Sequence, residues 1–107
     1  MEVVIHMHHA VVSGSMRKRV ERMVRIAAAK LPRAVDAVVR FEQDGKLRRV
    51  EVILHAPKHT SLVASAEGPY FGPAASRAVA RLSAQASKEK RTPKALARSA
   101  RAGIVRS

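Results

Sequence analysis

Arginines and lysines carry most of the chemistry available to this chain of 107 residues. Two stretches repeat them at helical spacing. Lys18, Arg22 and Arg25 recur every three or four residues, and Arg77, Arg81 and Lys88 follow at steps of four and seven further on. At 100° per residue the second set falls within about 40° of one another. A guanidinium grips a phosphate through parallel N–H bonds, and RNA duplexes are recognised mainly through backbone and shape. A row of cations on a helix is commonly no more than its solvated face. Here the sign favours a polyanion surface, because no acid interrupts residues 77–88.

Other constellations carry less. His6, His8 and His9 cluster, and His55 is expected on the same sheet face as His6 and His8. Imidazoles two residues apart on a strand face the same way and can bind zinc or nickel. The chain has no cysteine, however, and no carboxylate evidently converges on them. Solvent-facing or RNA-facing histidines are the simpler account, and no metal or other cofactor is expected. Catalysis finds little support. Ser13-Gly14-Ser15 is too short for a phosphate-cradling loop. Glu42 and Glu51 can neighbour one another across a hairpin, but flanking arginines make surface ion pairing the better reading. No enzyme activity and no small-molecule substrate are expected.

The composition agrees. Twenty-one Lys and Arg against eight Asp and Glu give a net charge of +13 and a pI of about 11.6, so RNA, DNA or an anionic membrane are natural partners. Aromatics are 3% of the residues, and Phe41 is assigned to the core, which argues against a base-stacking platform. Backbone and groove contacts are left to do the work. The absence of cysteine fits a reducing cytoplasm. No run approaches the roughly 20 apolar residues that span a bilayer, and the start does not resemble a signal peptide.

The elements that must position these cations follow from periodicity. Residues 3–7 alternate, with Val3, Ile5 and Met7 on one face and Val4, His6 and His8 on the other. Ser13-Gly14-Ser15 supplies a loop and a helix N-cap. Met16, Val20, Met23, Val24, Ala27 and Leu31 then mark a helix that Pro32 ends. A second strand over 35–42 buries Ala37, Val39 and Phe41. Asp44-Gly45 makes a hairpin turn. A third strand over 48–56 turns Val50, Val52 and Leu54 inward and Arg49, Glu51 and His55 outward. Pro57-Lys58-His59 leads to a fourth strand over 60–67. Pro69 and Pro73 bracket the start of a second helix with an apolar stripe of Ala75, Val79, Leu82 and Ala86. The expected fold is a two-layer α+β sandwich, β-α-β-β-β-α, with a four-stranded mixed sheet and two helices on one face. One domain is expected over 1–90. Residues 91–107 contain no acid and are expected to form a basic tail, disordered when alone.

Ser65-Ala66-Glu67-Gly68, a short aromatic-containing break, Ala74-Ala75, Arg81-Leu82, Gln85 and Lys88-Glu89-Lys90 resemble the signature of the ribosome hibernation-promoting factor and ribosome-associated inhibitor family, once called sigma-54 modulation proteins. The resemblance covers roughly residues 2–91 in element order and is sharp over about 65–90. It implies binding to small-subunit rRNA near the decoding centre during stress or stationary phase, with inhibition of translation. Carried over by position, Arg81, Lys88 and Lys90 match basic positions of the family's second helix. Arg77 shares the face of Arg81 and Lys88 by helix geometry, but the family motif does not supply it. Arg17, Lys18, Arg22 and Arg25 on the first helix, and Arg91 beyond the second, are included by charge. Departures lie at 69–73, where Pro69 and Pro73 bracket Tyr70 and Gly72 in the stretch that commonly holds an Asp and a Tyr, and at Ala84 and Ala86, which replace residues that are often larger or basic. The extra C-terminal domain of long members is not matched. The alternative is a general structured-RNA or DNA-binding module without a ribosomal site.

Overall fold

A computed structural model describes residues 1–31, 34–56 and 61–91. The elements run β1 (Glu2–His8), α1 (Gly14–Ala28), β2 (Asp36–Asp44), β3 (Leu47–His55), β4 (Leu62–Gly68) and α2 (Phe71–Arg91). The sheet order is β1-β2-β3-β4, with β1 parallel to β2 and the other two pairs antiparallel. This is the expected α+β sandwich. A parallel first pair requires a crossover, and α1 supplies it. The expected terminator Pro32, the turn at 57–59, the strand start at Thr60 and most of the expected tail lie outside the described residues.

Alternation decides which face of the sheet is covered. Ala37, Val39 and Phe41 on β2, Val50, Val52 and Leu54 on β3, and Ala64 and Ala66 on β4 are buried beneath the helices. Val20, Val24, Ala27 and Ala28 meet them from α1; Phe71, Ala74, Ala75, Ala78, Val79, Leu82 and Ala86 meet them from α2. Phe41 and Phe71 pack edge to face, with centroids 5.4 Å apart. Arg48 lies over the Phe71 ring and donates to the Pro69 carbonyl, which fixes the corner between β4 and α2. Pro73 falls in the first turn of α2, where no intrahelical N–H partner is needed. At the start of α1 the Ser13 hydroxyl accepts from the Met16 N–H, so Ser13 is the expected N-cap.

The β2–β3 hairpin has a loop of Gly45 and Lys46, and Gly45 sits at φ +62°. A Cβ there meets no atom within 4 Å, so backbone strain is the sole obstacle to a side chain. Gly45→Ala is expected to destabilise the fold by about 1–2 kcal/mol. Urea unfolding checks this: the midpoint falls while the slope is unchanged.

Candidate nucleic-acid interface

Both helices lie on one face of the sheet and pack against each other, with the Lys30 ammonium donating to the Ser83 hydroxyl between them. Arg17, Lys18, Arg19 and Arg22 are exposed on α1, and Arg77, Arg81 and Lys88 are exposed on α2. Lys90 and Arg91 belong to the final turn of α2.

Arg77 and Arg81 are not merely solvated. Strand β4 is an edge of the sheet, so the carbonyls of alternate residues have no strand partner. Arg77 donates to the Glu67 carbonyl, Arg81 to the Ser65 carbonyl and Gln85 to the Val63 carbonyl. Steps of four along the helix therefore match steps of two along the strand. The two guanidiniums fold over the strand edge instead of projecting into solvent as a merely solvated helix face would. Alanines make this possible. Ala74, Ala75 and Ala78 on α2 face a strand carrying Ala64 and Ala66, all buried, so short side chains let helix and strand approach.

Arg49, Ser65, Ala66, Glu67, Arg77 and Arg81 line a groove of about 630 Å³ along this edge. A guanidinium has five N–H donors in a fixed fork. Arg77 and Arg81 can each keep the strand carbonyl and still offer N–H groups to a phosphate. Their position is set by the fold, which lowers the entropy lost on binding. Gly68 leaves room for this: a Cβ at that position would lie 3.0 Å from a terminal nitrogen of Arg77. Replacing both arginines by lysine keeps the charge but removes the fork. RNA affinity is expected to fall about tenfold in a fluorescence titration, equivalent to one or two net hydrogen bonds.

Arg25 differs from its neighbours. It is paired with Glu21 at 2.9 Å and donates to the Met1 carbonyl at 2.7 Å, so much of its donor capacity is used inside the chain. Sequence spacing gave no sign of this, since Met1 is brought to Arg25 by the fold. Gln85 and Arg49 were also missed as companions of the α2 cations. The i, i+4, i+8 spacing of 77, 81 and 85 was visible, but the strand edge it meets was not.

The other constellations resolve simply. His55 shares the outer sheet face with His6 and His8 but lies at the opposite end, bonded to Asp36. Its pairing with His6 and His8 in one site is thereby excluded by register: His55 pairs with Asp36, whereas His6 pairs with Arg40. Among the described residues no group of three or more His, Asp or Glu could hold a metal ion. Glu42 and Glu51 both meet Arg49, at 3.5 and 3.6 Å, and Arg40 reaches Glu51 at 3.8 Å, which is the surface pairing expected. Among the described residues no helix is long and apolar enough to cross a membrane.

Comparison with solved structures shows the same fold elsewhere. A ribosomal subunit interface protein from Coxiella burnetii is similar with a TM-score of 0.77 and 17% identity, over 84% of this chain and 98% of that one. The N-terminal domain of Protein Y from Thermus thermophilus is similar with a TM-score of 0.71 and 21% identity, over 82% of this chain and 98% of that one. No curated protein matches the sequence. Residues 3–94 match the family model described as sigma 54 modulation protein / S30EA ribosomal protein, which spans both helices and the whole sheet, and the chain therefore belongs to that family.

Proposed function

We propose that this protein is a cytoplasmic, non-enzymatic translation inhibitor that binds the small ribosomal subunit through rRNA. Its site lies near the decoding centre, in the channel used by mRNA and tRNA, and it acts under stress or in stationary phase to hold ribosomes idle. Family membership supports the ribosome as partner. The observation that carries the reading is the array of exposed cations on α1 and α2, with Arg77 and Arg81 held at the β4 edge. Arg17, Lys18, Arg22, Arg77, Arg81, Lys88, Lys90 and Arg91 are the proposed rRNA contacts, with Arg25 contributing least because of its internal bonds.

Phosphate binding at this surface needs no bound cofactor and no base stacking. Phe41 and Phe71 are buried, which leaves Tyr70 as the exposed aromatic. Contacts to backbone and grooves then dominate, and affinity falls steeply with salt. The decisive experiment is co-sedimentation with purified small and large subunits at near-physiological salt, with excess unrelated structured RNA as competitor. Saturable one-to-one pelleting with the small subunit alone is expected. Equal pelleting with both subunits, or loss of pelleting to the competitor, would replace this reading with a general RNA-binding module.

A further inference from the structure

The face of the sheet turned away from the helices is organised in rows by strand register. One row joins Val4, Val38, Ile53 and Val63, one residue from each strand, all directly paired. Val4 and Val63 are 36% and 46% exposed, and no described element covers them. Strands lie about 4.8 Å apart, so the row is an apolar strip about 14 Å long across the sheet.

The rows beside it are charged, with a sign opposite to that of the whole chain. Glu2 and Asp36 lie on one side of the strip and Glu51 on the other; Glu42 and Glu67 lie one row further out. With Asp44 in the last row, six of the chain's eight acids thus occupy this face. Arg40 and Arg49 are the arginines among them, and both already face Glu51 or Glu42. With histidines neutral the rows carry four more negative than positive charges, on a chain of net charge +13, and Arg77 and Arg81 offset them only at the β4 edge.

That combination selects among partners. Away from the β4 edge, nucleic acid and anionic membrane are repelled. A second copy would set two acidic faces against each other. A cationic polypeptide gains both from the acids and from covering the strip, since desolvation strengthens charge pairs beside an apolar surface. We propose that this open sheet face, centred on Val4, Val38, Ile53 and Val63, docks a lysine- or arginine-rich polypeptide segment that carries aliphatic side chains. The strip meets the helix cations only at the β4 edge, where Arg49, Ser65 and Glu67 line the groove beside Arg77 and Arg81, so the protein can hold RNA on the helix side and a basic protein segment on the strip.

The test is an NMR titration of the full chain, labelled at Val, Leu and Ile methyls, with a synthetic peptide alternating lysine with valine or leucine. A control peptide has serine in place of the aliphatic residues. Shifts are expected at Val4, Val38, Ile53 and Val63, and the control should bind at least about tenfold more weakly. Ile53→Thr should weaken the peptide about tenfold while leaving RNA affinity unchanged, which separates this proposal from the rRNA reading. Glu2→Gln with Asp36→Asn and Glu51→Gln should weaken it further and flatten its salt dependence. Equal binding of the control, methyl shifts confined to the helix layer, self-association through the strip without peptide, or an RNA oligonucleotide shifting the same methyls would each overturn it.

Discussion

Reversing Arg77, Arg81 and Lys88 to glutamate should lower affinity for the RNA target by about two orders of magnitude at near-physiological salt. Each phosphate contact contributes about 0.9 to the slope of log K against log salt on a duplex. Three contacts then amount to about two decades between 0.15 M and 1 M salt. The measured slope should itself fall by about three. Because each reversal removes two charges, the net charge drops from +13 to +7, and long-range attraction weakens as well. An unchanged slope would mean that these side chains are not at the interface.

The same substitution has a structural consequence that charge alone does not foresee. Arg77 and Arg81 occupy the carbonyls of Glu67 and Ser65 on an edge strand. Glutamate cannot donate to them, so the edge is released for pairing with another chain. The variant should therefore remain folded by circular dichroism but self-associate at high concentration. Lys18→Glu with Arg22→Glu serves as the comparison. Those residues stand on α1, away from the β4 edge, and should weaken RNA binding without promoting association. Loss of binding in both variants with association in only the first separates recognition from edge protection.

Much of this architecture is written locally. Alternation in residues 3–7 and 48–55, the change to helical period after Ser13, and Asp44-Gly45 at the hairpin are signals within a few residues of one another. They yielded the element order and the buried faces, including Phe41 and Leu82, both fully buried. Boundaries were looser. Helix α1 begins at Gly14 and stops at Ala28, before the expected Leu31, because Lys30 and Leu31 close tighter turns onto Ala27 and Ala28. What local pattern does not contain is which groups meet across long separations. The Arg25 bond to Met1, the Arg81 bond to Ser65 and the row of Val4, Val38, Ile53 and Val63 all depend on strand order and register. The cation residues were thus legible as types, whereas the seam that holds two of them, and the acidic face opposite, were not.

Phe41→Ala is expected to cost about 3–5 kcal/mol, the largest stability effect of any single change considered. Phe41 is fully buried at the centre of the sheet and meets the Phe71 ring at the start of α2. Removing it leaves a cavity beneath the corner that sets α2 over β4. A domain of this size is stable by about 5–15 kcal/mol, and self-repulsion at +13 works against compaction. The melting temperature should fall by about 12 °C or more. Two additions should then act differently. Sodium chloride screens repulsion among the cations and should raise the melting temperature of the variant while weakening its RNA binding. Target RNA at about one hundred times its Kd should restore about 2.7 kcal/mol, since it binds only the folded chain. The opposite signs of salt on stability and on affinity follow from one cause: the cations that repel one another in the free protein are those that meet phosphate in the complex. A calorimetric series over salt, with and without RNA, reads both. If salt lowered the melting temperature of the free variant, attraction rather than repulsion would dominate the folded surface, and the cations would be balanced within the chain.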